Sequence, residues 1–189
     1  MLLSEKLKAN TKHNHQVLEN KLLIQLKLIT NKHEYASLLA IFYSFFGGLE
    51  LAINKHQVVD FLPDYPDRRK TTAIANDLIK LEMKLPTFAS GNNLPKLNTS
   101  LQVIGALYVI EGSTLGGRMI IKMLKQQINF LNVNELSFFY GYGDQTENMW
   151  KNFKIYIDKP LKLHEEDIVI KSANDTFHQF TNWFISTRL

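Results

Sequence analysis

At 189 residues, 45% of them hydrophobic, the chain is long enough to bury the core of one domain, and no linker or internal repeat divides residues 1–189. Cysteine is absent, which excludes disulfides, thiolate metal sites and cysteine nucleophiles. The formal charge of +4, from 22 basic and 18 acidic residues spread along the chain, argues against nucleic acid and suits an anionic small ligand or an acidic protein partner.

The polar run from Ser4 to His15 is no apolar targeting segment, so a cytoplasmic location is expected. Leu3, Leu7, Thr11, His15, Leu18 and Leu22 recur at helical spacing, with Ser4 as the expected cap and Glu5 in the first turn. Thr11, His15 and Glu19 follow at successive i+4 positions and share one face; Lys8 lies two turns before His15 on the same side. A histidine on such a face is either a satisfied core residue or a ligand. A carboxylate one turn away can take the Nδ1 proton and leave Nε2 free for a metal. His13 points elsewhere and is expected in solvent.

The second helix is expected over His33 to His56, with Tyr35, Leu38, Leu39, Phe42, Phe45, Phe46 and Leu49 forming core. Gly47-Gly48 inside it marks a close approach, a kink or a packing notch. Pro63 and Pro66 stop the next connection. A helix from Asp67 to Met83 then turns Ile74, Leu78 and Leu81 inward, and Arg68-Arg69-Lys70 reads as a solvated face, with docking as the alternative. A Ser-, Gly- and Asn-containing loop, Pro86 to Pro95, follows.

From Ser100 to Gln127 the apolar spacing predicts one long helix running through Gly112, Gly116 and Gly117. Each internal glycine costs about 1 kcal/mol against alanine. A chain that keeps them needs a kink or a place where backbone meets something flat or bulky; two helices crossing closely is the competing explanation. Glu111 and Arg118 cut the apolar run short of the roughly 20 residues a membrane span requires. Arg118-Met119 stands where a phosphate loop needs Lys and then Ser or Thr, which argues against nucleotide binding.

After the turn Phe138 to Asp144, Thr146 is expected to cap a helix carrying Met149, Trp150, Phe153 and Tyr156, flanked by Lys151 and Lys154. A last helix spans about Glu165 to Thr187, presenting Ile168, Phe177, Phe180, Trp183 and Phe184. No alternating pattern of useful length occurs, so the chain is all-α, with about seven helices. A flat iron macrocycle between the histidine of the first helix and the glycine-rich helix would explain both: the histidine gives the proximal bond, the glycines leave space for dioxygen, and lysines pair with carboxylates at the macrocycle's edge.

These stretches resemble the heme oxygenase family over nearly the whole length. Leu7 to Glu19 is similar to its proximal-histidine motif. Ala106 to Ile121 is similar to its distal helix in the form found among bacterial members, including bacteriophytochrome-associated ones, as is the run Tyr140-Gly141-Tyr142-Gly143 through Thr146, Trp150 and Phe153. The resemblance implies a single-domain multi-helix fold that sandwiches heme between the first helix and a kinked distal helix.

By position it makes His15 the proximal iron ligand, with Thr11 and Glu19 beside it, and Lys8 a propionate partner. Lys151, with Lys154 as the weaker alternative, falls where the family has another propionate-binding residue. Gly112, Gly116 and Gly117 correspond to the distal glycines. Ser113 stands where the animal enzymes have an aspartate, a change the bacterial relatives share and one that bears on rate and regiospecificity. The implied activity is oxidative opening of heme to biliverdin with release of carbon monoxide and ferrous iron. Heme is then both cofactor and substrate, and electrons come from a ferredoxin, flavodoxin or reductase. The alternative is a protein of the same fold that stores or transfers heme without degrading it. Thiaminase-type proteins of related architecture use a catalytic cysteine, which this chain lacks.

Overall fold

The computed structural model describes residues 1–128 and 131–187. Among them lie eight α-helices and no strand: α1 (Leu3–Leu28), α2 (Lys32–Ile53), α3 (Thr72–Lys80), α4 (Ser100–Gly112), α5 (Gly117–Gln127), α6 (Ser137–Tyr140), α7 (Thr146–Ile157) and α8 (Leu163–Ser186). The all-α expectation holds.

By length and composition α2 could cross a membrane, yet most of it is core. Asn31 caps it, accepting from the Glu34 amide at 3.0 Å. Phe42 and Phe46 meet Phe138 edge-on or tilted, and Phe45 stacks on Phe180 of α8 at 4.8 Å. Each ring buried this way contributes about 1.5–3 kcal/mol. Gly47 and Gly48 leave α2 unbroken, and of the three expectations close approach is the one realised. A Cβ at Gly47 would strike the Phe88 ring and one at Gly48 the Ala89 carbonyl. The Ala89 amide donates to the Ser44 carbonyl at 2.9 Å, so the 86–95 loop lies directly on the helix.

The long helix α8 carries α4 on one side and α1 on another. At Gly105 the α4 backbone touches that of α8, near Val169 and Ala173. Along α1, Lys6 pairs with Glu166 at 2.5 Å and the Asn14 amide donates to Asn174 at 2.7 Å, which fixes the rotation of α1 about its own axis.

Four local expectations are corrected. Ser4 does not cap α1: the cap position is Leu2, and the Ser4 amide and hydroxyl both donate to the Asp158 carboxylate, at 2.7 and 2.8 Å. Thr146 is the first residue of α7 and donates back to the Gly143 carbonyl at 2.8 Å; the cap position is Gln145. The helix from Ser100 to Gln127 is two helices, interrupted by a 3-10 turn at Ser113–Gly116. The Arg68-Arg69-Lys70 triplet precedes α3, which begins only at Thr72, and is not a solvated face: Arg68 is 2% exposed and its neighbours are half-buried.

Candidate functional site

Thr11, His15 and Glu19 do share a face of α1. Thr11 is buried and its hydroxyl donates to the Leu7 carbonyl at 2.8 Å. The Tyr108 phenol lies beside it, its pKa raised by burial, an effect the Thr11 hydroxyl partly offsets. The His15 side chain is 58% exposed, its ring edge-on to Phe177 at 5.7 Å. Its Nδ1 lies 3.8 Å from Glu19 Oε2, within ion-pair range but longer than a hydrogen bond. Lys8 is exposed.

Opposite in the sequence's logic stands the glycine turn. Where a helix breaks, carbonyls lose their partners and need others. Ser113 Oγ donates to the Ile110 carbonyl at 2.6 Å and Thr114 Oγ1 to the Glu111 carbonyl at 2.7 Å. The Arg69 guanidinium adds bonds to Ile110 O (3.2 Å) and Ser113 Oγ (2.7 Å), reaches Phe138 O at 3.2 Å, and lies 4.2 Å from the Phe138 ring centre. Burial lowers the Arg69 pKa.

The three glycines differ. A Cβ at Gly117 would enter the Phe139 carbonyl, so this glycine seats α5 on α6. At Gly112 it would meet only the Trp150 ring, at 3.7 Å, and at Gly116 nothing within 4 Å. Leu115 and Met119 beside Gly116 are 46% and 50% exposed. Lys151 is exposed, and Lys154 Nζ sits 6.0 Å from the Trp150 ring.

Behind the turn lies a charged cluster. Arg68 donates to Glu111 at 2.7 Å, to both Asp64 oxygens at 2.7 and 2.9 Å, and to the Met149 carbonyl at 3.2 Å. Tyr142, held by a turn in which Gly141 and Gly143 have φ of 59° and 57°, donates to Glu111 at 3.0 Å and accepts from the Arg69 amide at 2.9 Å. Burial and the Glu111 carboxylate push the Tyr142 phenol far up, so it stays a donor. A cavity of about 20 Å³ is lined here by Glu50, Lys70, Glu111 and Phe46 among others; it has room for one water and none for a macrocycle. Sequence reasoning missed this cluster. The available signal was Glu111, a carboxylate inside an apolar helix that needs a buried cation.

The Heme oxygenase family model matches residues 1–186. The chain belongs to the heme oxygenase family. Solved structures agree in fold. Heme oxygenase from Neisseria meningitidis, solved with NO and CO bound, aligns with a TM-score of 0.81 at 20% identity, covering 99% of this chain and 92% of that one. The Leptospira interrogans heme oxygenase gives 0.76 at 18%, over 97% and 98%. Heme oxygenase-1 from the cyanobacterium Synechocystis, in complex with heme, gives 0.76 at 17%, over 98% and 91%. No curated protein sequence gives a significant match. At these identities the likeness establishes the heme oxygenase fold. Among the described residues no group of three or more His, Asp or Glu side chains could hold a bare metal ion, whereas an iron macrocycle needs only one axial side chain.

Proposed function

We propose that this chain opens heme to biliverdin, releasing carbon monoxide and ferrous iron, with dioxygen as oxidant and electrons from a ferredoxin, flavodoxin or reductase in the cytoplasm. The supporting observation is how α1 meets the distal segment. They touch at one end through Thr11 and Tyr108 and at the other through Lys27 and Gln127, whose amide reaches the Lys27 carbonyl at 3.4 Å. Between these ends His15 is exposed, no α1 residue from Lys12 to Gln25 is buried, and Gly116 faces open space. Thr11 to Lys27 spans about 24 Å of helix, enough length for a macrocycle lying edge-in.

The residues present suit heme. His15 would hold the iron, with Glu19 able to take its Nδ1 proton after a small rotamer change. Lys8 and Lys151, with Lys154 behind, would meet the propionates. Gly116, and Gly112 next to Trp150, would line the distal side. Bound heme supplies the redox chemistry, and the chain seats the ring, excludes water and admits dioxygen at one edge.

A second reading, heme storage or transfer, has one observation in its favour. The Ser113 hydroxyl hydrogen is committed to the Ile110 carbonyl, and no carboxylate stands in its place. One experiment decides between them: titrate hemin into the protein, follow the Soret band, then add reductant in air. Biliverdin absorption supports the enzyme, an undegraded Soret complex supports storage, and no complex refutes both.

A further inference from the structure

We infer that Trp150 is a specificity-determining residue, an aromatic end wall that fixes how far a flat macrocycle enters the space beside Gly116 and therefore which edge of it faces the distal turn. The inference rests on the proposed heme site and deepens it. Its grounds are the contacts of one ring. The Cη2 and Cζ3 edge of Trp150 lies at ordinary van der Waals distance from where a Cβ on Gly112 would stand, whereas the same position at Gly116, one turn on, is open. Behind it Trp150 stacks on Phe153, with centroids 5.5 Å apart and planes at 16°, and on its flank Tyr108 lies at 5.5 Å. Tyr108 is the residue beside Thr11 at the closed end, so Trp150 stands where that closed end gives way to the open stretch.

The wall is fixed in register as well as in place. Arg68 bonds the Glu111 carboxylate and the Met149 carbonyl, and the next residue after each is a member of the contacting pair, Gly112 and Trp150. Its guanidinium also lies 5.4 Å from the centre of the Phe153 ring on which Trp150 stacks. Sliding α7 along α4 would break buried charge-assisted bonds, which makes this end stop stiff. Trp150 is itself only half-buried, so part of its surface remains for a ligand. A wall made of one polarisable ring against a ring-shaped substrate sets in-plane position by shape, with the Lys154 ammonium 6.0 Å from the same ring.

The test uses the full chain with hemin and with zinc protoporphyrin. The sequence has two tryptophans, so in Trp183→Phe protein all tryptophan emission comes from Trp150. Zinc protoporphyrin is expected to quench that emission nearly completely, as contact requires. In the low-spin ferric heme complex, Trp150→Leu is expected to change the ratio of ring seatings, read from the heme-methyl NMR shifts, by about fivefold, the factor that losing part of an aromatic contact gives. The biliverdin isomer ratio should follow, and Trp150→Phe should restore most of the parent pattern. If Trp150→Leu fails to fold, the quenching and the Trp150→Phe shifts still decide. Unquenched emission in a formed complex, or an unchanged methyl pattern in a folded Trp150→Leu complex, overturns the end wall and leaves the heme site standing. Absence of any complex in the wild-type chain overturns the heme site, and the end wall with it.

Discussion

Arg68 and Glu111 meet at 2.7 Å with the guanidinium fully enclosed and the carboxylate 2% exposed. Removing one member leaves an uncompensated buried charge. Glu111→Gln is expected to cost about 3–5 kcal/mol, which in a domain of this size lowers Tm by roughly 6–20 °C. A melting scan that moves by only a degree or two would mean that Asp64 alone satisfies Arg68. The double variant Arg68→Met, Glu111→Leu should recover part of the loss, because both members of the enclosed pair go together while Asp64 alone loses its partner.

His15→Ala should fold normally, since the side chain is 58% exposed and its ring meets Phe177 only edge-on. Heme added to this variant should give a shifted Soret band and no biliverdin. Exogenous imidazole should restore the parent spectrum by filling the vacated space. Parent-like spectrum and turnover without imidazole would remove His15 as the ligand.

The glycines separate by what surrounds them. Gly117→Ala should lower Tm, because its methyl group meets the Phe139 carbonyl, which cannot move without shifting α6. Gly116 has φ −80° and ψ −12°, a conformation alanine adopts freely, and nothing lies within 4 Å. Gly116→Ala should therefore be neutral or stabilising by about 0.4–1 kcal/mol. If the macrocycle lies against it, biliverdin yield should nevertheless fall. Full specific activity in a stable Gly116→Ala protein would exclude Gly116 from the distal face.

Charge reversal at Lys8 and Lys151 should weaken heme binding by about 1 kcal/mol or less each, as partly exposed pairs do, while changing the isomer ratio. Affinity and isomers at parent values in the double reversal would show both lysines to be merely solvated.

Acid should loosen the junction of α2 with the 133–135 turn. Burial alone would raise the Glu135 pKa, but the Lys32 ammonium at 2.6 Å and the Asn132 amide hold it below the usual carboxylate range. A carboxyl depressed in the folded state adds stability above its unfolded pKa of about 4.3, and that stability is lost as pH falls through the lower folded value. Glu135→Gln should flatten the acid limb of a Tm-against-pH curve below about pH 4.5 while leaving its neutral shape unchanged. An unaltered acid limb would show that other carboxylates carry it.

Periodicity made the helical order of the chain legible, and it put Thr11, His15 and Glu19 on one face. It reports which side a residue occupies and says nothing of a partner far along the chain. Ser4 looked like a cap because caps are local, yet its partner is Asp158. Arg68-Arg69-Lys70 looked solvated because three cations in a row usually are, and only the fold brings Glu111 to Arg68 and the Ser113 hydroxyl to Arg69. The glycine cluster marked where the helix is interrupted, although periodicity ran it straight through. Which glycine serves packing depended on Phe139, more than twenty residues away from any of them in sequence.

The bonds Ser4–Asp158, Lys6–Glu166 and Asn14–Asn174 join α1 to the end of α7 and to α8. At roughly 5–20 residues per second, about 150 residues separate their emergence by some 8 to 30 s. Through that interval the nascent α1 lacks the bonds to Asp158, Glu166 and Asn174. Such distant pairing is also the slow kind, because its loop-closure entropy is lost before any contact is gained. The face carrying His15 is thus expected to take its final orientation only after Asn174 has emerged.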